Sequence, residues 1–135
     1  MFHTFRYCVL ALTALLLVAC SGCGGAPYKM VPFEGTITYK GKPLENVVLE
    51  FAVGDHRTSG AYIVPGEQGR FKVVHTSTLV GVPVGTCRLK VTWGGGESVA
   101  PPAEYVELFE KYGYHSEGYV FEITKPEKNF RIDLE

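Results

Sequence analysis

The stretch Cys87-Arg88-Leu89-Lys90-Val91-Thr92-Trp93 decides how this chain folds. Cys87, Leu89, Val91 and Trp93 alternate with Arg88, Lys90 and Thr92, and an extended strand, whose successive side chains point to opposite faces, separates the two sets cleanly. A helix would mix them around its circumference. The same period of two recurs toward the N-terminus, where Phe33, Gly35, Ile37 and Tyr39 oppose Glu34, Thr36, Thr38 and Lys40, and where Asn46 to Val53 places Val47, Leu49, Phe51 and Val53 on one face. Ala61 to Val64 and Arg70 to His75 read as shorter strands, the second with Phe71 and Val73 inward. On the C-terminal side, Tyr119, Phe121 and Ile123 form one inward set, and Phe130, Ile132 and Leu134 another.

Turn residues punctuate these runs: Gly41-Lys42-Pro43, the polar segment Asp55 to Ser59, Pro65 to Gly69, and Glu127-Lys128-Asn129 after Pro126. Gly94-Gly95-Gly96 ends the central strand and Pro101-Pro102 opens a long connection. Within it, Ala103 to Tyr112 has the spacing of a short helix with Tyr105, Leu108, Phe109 and Tyr112 on one side. About seven short strands, each with one apolar face, predict an all-β, antiparallel two-sheet sandwich over residues 32–135.

Several of these segments resemble a known family. Gly35-Thr36-Ile37-Thr38-Tyr39-Lys40-Gly41-Lys42-Pro43-Leu44-Glu45-Asn46-Val47 is similar to the opening of carboxypeptidase regulatory-like domains, the transthyretin-like (prealbumin) sandwich. Gly69-Arg70-Phe71 and Gly81-Val82-Pro83-Val84-Gly85-Thr86-Cys87 are similar to later motifs, with Gln68 and Cys87 standing where Asp and Tyr are usual. Lys111-Tyr112-Gly113 and Asn129-Phe130-Arg131-Ile132-Asp133-Leu134 resemble the close of small bacterial lipoproteins carrying this domain. The resemblance implies a transthyretin-like fold and a noncatalytic accessory or adhesion role. The related hydroxyisourate hydrolases end in Tyr-Arg-Gly-Ser, whereas this chain ends Arg131-Ile132-Asp133-Leu134-Glu135.

Ahead of the strands, residues 1–19 have the layout of an export signal, with Arg6 near the start, an apolar run from Val9 to Ala19, and small residues before Cys20. The run is shorter than the about 20 apolar residues a spanning helix needs. Leu17-Val18-Ala19-Cys20 matches the bacterial lipobox, so Cys20 is expected to carry the lipid and to begin the mature chain. Two or three acyl chains hold a protein at a bilayer where one is marginal. Ser21 after the lipidated Cys, rather than Asp, points to the outer membrane facing the periplasm in a Gram-negative host. Residues 20–31, rich in Gly and small side chains, read as a lipidated N-terminus and flexible linker. Cys23 and Cys87 are the cysteines left for a disulfide, but Cys87 on an apolar strand face reads more simply as a small buried hydrophobe.

A formal net charge of −1 with no basic cluster gives no electrostatic footprint for nucleic acid. His56, His75 and His115 lack metal-binding spacing and read as surface residues, so neither metal nor cofactor is expected. Ser59, Ser77 and Ser116 lack a nucleophile-elbow context, and Gly94 to Gly96 lacks the Lys-Ser/Thr of a phosphate loop. The chain is therefore read as a noncatalytic envelope module whose partners are the membrane, through its anchor, and an envelope protein or glycan. The remaining candidate surface is aromatic: Trp93, Tyr105, Phe109, Tyr112 and Tyr114 on the connection 93–119, beside Glu104, Glu107 and Glu110. These rings either stack on a carbohydrate or other small ligand, or pin the connection against the sandwich.

Overall fold

Alternating burial, read residue by residue along the main strands, reproduces the alternating sequence pattern. The computed structural model describes residues 28–135, so the leader, Cys20 and Cys23 lie outside the described residues. In chain order the elements are β1 (Met30–Val31), β2 (Phe33–Tyr39), β3 (Lys42–Pro43), β4 (Val47–Val53), β5 (Ser59–Tyr62), β6 (Arg70–Lys72), β7 (Val82–Pro83), β8 (Gly85–Trp93), α1 (Tyr105–Tyr112), β9 (Tyr119–Ile123) and β10 (Glu127–Leu134). Every second residue of β2 and of β4 is buried, as a pleated strand with one face on a core requires.

Two four-stranded sheets result. One runs β5-β4-β8-β9 with antiparallel pairing throughout. The other has β2 at its centre, with β10 on one side and β3 and β6 on the other. The chain is an all-β sandwich, but β10 lies parallel to β2, so the fully antiparallel arrangement expected from short turns does not hold at that pair. The pairing also explains why Glu127 to Asn129 is strand rather than turn. The register slips between Glu127 and Phe130, absorbing an extra residue in a bulge. At Gly35, paired with Phe130, a Cβ would run into the Phe130 carbonyl, so only glycine lets the two backbones approach this closely.

The β2–β3 hairpin turns through Lys40 and Gly41, both with positive φ (49° and 79°), the conformation a two-residue type I′ turn needs. Other boundaries move slightly. Ser59 belongs to β5 rather than to a polar loop, and the strand expected to reach His75 continues past Lys72 only as single bridges from Val74 to Gly60 and Val80. Ordered pairing begins earlier than the expected linker allows, because β1 pairs with β7.

Between the sheets lies an aromatic core. The ring of Phe33 sits 4.9 Å from Phe130, 6.1 Å from Phe51, 6.1 Å from Phe121 and 6.2 Å from Phe71. Leu49, Leu89, Val91, Ile37 and Ile132 are fully buried around it. Cys87 is buried with them and has no disulfide partner among the described residues, and burial raises the pKa of its thiol to about 12, which leaves no reactive thiolate near neutrality. Truncating the shared ring in Phe33→Ala is expected to cost about 4 kcal/mol, and forcing a methyl into the bulge in Gly35→Ala about 2 kcal/mol. The exposed edge change Val120→Ala should stay within about 0.5 kcal/mol. Urea unfolding of the three variants checks this order, and a Phe33→Ala cost no larger than that of Val120→Ala would contradict the core described.

Candidate functional site

Three places gather polar or aromatic side chains. The first lies where the described chain begins. His75, 6% exposed, receives Ser59 Oγ at its Nδ1 and the Tyr28 hydroxyl at its Nε2, each at 2.7 Å. His56 stacks on the Tyr28 ring with centroids 3.9 Å apart. His75 is therefore not the surface residue its spacing suggested. A neutral imidazole has one donor and one acceptor nitrogen, so one hydroxyl donates to the ring and the other accepts from it. Burial of the ring, with Arg57 and His56 close by, pushes its pKa below the ordinary histidine value.

This Tyr-His-Ser chain superficially resembles a hydrolytic relay. Ser59 is 1% exposed, however, and a nucleophile must meet a substrate carbonyl. The network satisfies buried polar atoms and holds Tyr28 against the sandwich. His115 is elsewhere, exposed and edge-on to Tyr114, so the three histidines do not converge. Among the described residues no three His, Cys, Asp or Glu side chains form a metal-binding group.

The other two places flank α1. Its buried stripe, Tyr105, Leu108 and Tyr112, follows the i, i+3, i+7 spacing and docks the helix on the sandwich. The Tyr112 hydroxyl donates to the Glu135 carbonyl at 3.0 Å, which ties the helix to the end of β10. Two of the five candidate rings, Tyr105 and Tyr112, are thus buried and pin the connection. Tyr114 is 66% exposed, while Trp93 and Phe109 are half-buried. The five do not make one continuous surface.

They divide instead between two depressions. An apolar groove of about 550 Å³ is lined by Val106, Phe109, Tyr114 and His115. On the other side, a cavity of about 520 Å³ lies between α1 and the β2–β3 hairpin, with Trp93 and Tyr105 in its wall. Trp93 donates its ring N–H to the Val99 carbonyl at 2.7 Å, and Tyr105 stands edge-on to it at 6.3 Å. The type I′ turn delivers Lys40 to Glu107 at 2.6 Å, and Lys42 approaches Glu104 at 3.6 Å. The Glu107 hydrogen bond raises the Lys40 pKa, and the same bond lowers that of Glu107. Both pairs are solvent-exposed and add little stability.

Sequence reasoning missed the hairpin side of this cavity, Tyr39, Lys40, Lys42, Glu45 and Asn46, because a strand and turn carry no local sign of the helix that meets them sixty residues later. Asn46 adopts φ 56°, a conformation that asparagine tolerates, and its amide and carbonyl bond to Ile63 and Gly94.

The lowered His75 pKa fixes the sign of a pH effect. The folded ring resists protonation while the unfolded chain takes up a proton near the reference value of 6.5, so this contribution to stability is complete above that pH. It is lost progressively as pH falls from there toward the lower folded value. Thermal melts from about pH 7.5 to about pH 5.5 should show a declining Tm, and His75→Gln should flatten that decline. An unchanged slope in the variant would assign the effect to other groups.

No protein-family model, curated protein or solved structure matches the chain.

Proposed function

We propose that this chain is a noncatalytic, lipid-anchored β-sandwich of the bacterial cell envelope, acting as an interaction or structural module. The observation that carries the reading is Leu17-Val18-Ala19-Cys20, an aliphatic residue and small residues directly before a cysteine at the end of an apolar leader. Ser21 favours the outer membrane with the domain facing the periplasm. The motifs similar to carboxypeptidase regulatory-like domains support an accessory role. Two of the nucleophilic groups, Ser59 and Cys87, are sealed inside the sandwich, which also favours that role.

A second reading is a carbohydrate or small-ligand module using the connection 93–119, and the cavity beside α1 favours it. Binding and anchoring are compatible, since the proposed lipid site at Cys20 and the cavity belong to different parts of the chain.

Cys20→Ala is expected to move the protein from the membrane fraction to the soluble fraction while leaving its Tm unchanged. Mass spectrometry of the wild type should find an acylated Cys20 at the mature N-terminus. An unmodified Cys20 behind an intact leader would remove the anchor from the proposal.

A further inference from the structure

We infer that Tyr28, His75 and Ser59 form a proton-operated latch, in which uptake of a proton by the His75 ring releases Tyr28 and frays the chain as far as Val31 while both sheets stay folded. The ring lies between unequal partners. Ser59, on its Nδ1 side, belongs to β5 and pairs with Phe51 of β4, so it is built into a sheet. Tyr28, on its Nε2 side, precedes a strand of only two residues. Its segment is held by the bond to His75, by the stack on His56, and by the Lys29 carbonyl, which accepts from the Val84 N–H at 3.1 Å. The next firm hold is Val31, 2% exposed and part of the core, and there the opening stops.

The closed ring is a poor host for charge. It is largely buried and both nitrogens are occupied, so water that would solvate an imidazolium is kept out. A second ring hydrogen would also face the hydroxyl that donates to the neutral ring, and that hydroxyl would have to turn its hydrogen elsewhere. Surrounding charge adds to the penalty. The loop before β5 supplies Asp55, His56 and Arg57, the starting segment supplies Tyr28 and Lys29, and from Val73 to Val84 the chain carries no titratable group besides His75. Asp55 and Lys29 are exposed to solvent. Burial first, then Arg57 and His56, hold the ring's pKa below its ordinary value. Lifting Tyr28 uncovers Nε2 at the cost of a few contacts, whereas moving Ser59 would break the β4–β5 ladder.

The direction of the effect follows. A ring uncovered by Tyr28 titrates near 6.5 and the covered ring lower, so the latch is shut above about pH 6.5 and opens as pH falls. The ratio of open to shut rises by up to about tenfold per pH unit, until the covered ring itself takes the proton. The latch depends on neither the anchor nor a ligand.

Residue-resolved hydrogen exchange on the full chain in a nonionic detergent, corrected at each pH for the intrinsic rate, tests this between about pH 7.5 and about pH 5.5. The Val84 amide should lose protection as pH falls, while the Gly81 amide, bonded to Val73, and the amides of β4 and β8 keep theirs. Tyr28→Phe, which keeps the stack on His56, should lower Val84 protection about fivefold at pH 7.5, the worth of one hydrogen bond, and weaken its pH response. His75→Gln should abolish that response. His56→Phe, which preserves a ring against Tyr28 but cannot titrate, should retain it and keeps the test decisive where His75→Gln does not fold. Val84 protection independent of pH, an equal loss in β4 and β8, a response surviving in His75→Gln or vanishing in His56→Phe, or Tyr28→Phe matching wild type would each overturn the latch.

Discussion

One phenyl ring joins the two layers of this protein. Phe33 on β2 contacts Phe71 and Phe130 within its own sheet, and Phe51 and Phe121 from the other. Such a shared contact constrains the topology. Phe130 reaches Phe33 from β10, which lies beside β2 and runs parallel to it, an alignment no hairpin can arrange. The chain must therefore visit the opposite sheet through β8 and β9 before returning. Because β8 and β9 are joined by the long connection rather than a tight turn, α1 and its flanking loops are carried outside the sheets.

The helix position follows from that detour and from burial rather than from charge. Leu108 is fully buried, and Tyr105 and Tyr112 are nearly so, which supplies the apolar contact that docks α1. The ion pairs to Lys40 and Lys42 are exposed on both partners, so they contribute little free energy to the docking of α1. That division matters for the cavity. Its apolar wall includes side chains buried in docking α1, while its charged rim is held only by exposed ion pairs.

The strand faces were legible because burial on one side leaves a period-two trace in the sequence, and the buried stripe of α1 was legible for the corresponding helical reason. What could not be read were pairings between distant segments. Ser59 occupies an inward strand position that looks like a loop residue, since its polarity is satisfied by His75 from another segment. Glu127 to Asn129 has turn chemistry, yet tertiary pairing with β2 draws Glu127 into the ladder and leaves a bulge behind it. The parallel alignment of β10 has no local signature at all. The aromatic connection was read as one surface because the residues share a segment, but helical geometry sends Tyr105 and Tyr112 inward while Phe109 and Tyr114 flank the opposite groove.

Strand direction also relates the two ends of the sandwich. Tyr28 and His75 lie near the Phe33 end of β2, since Val73 bonds to Phe33 and His75 follows it. The cavity lies at the Tyr39 end, where the hairpin turns. The seven residues of β2 place these sites about 20 Å apart along the strand. The Tyr28 clamp, made by a hydrogen bond to His75 and a stack on His56, fixes the start of the described residues at the end of the sandwich opposite the cavity.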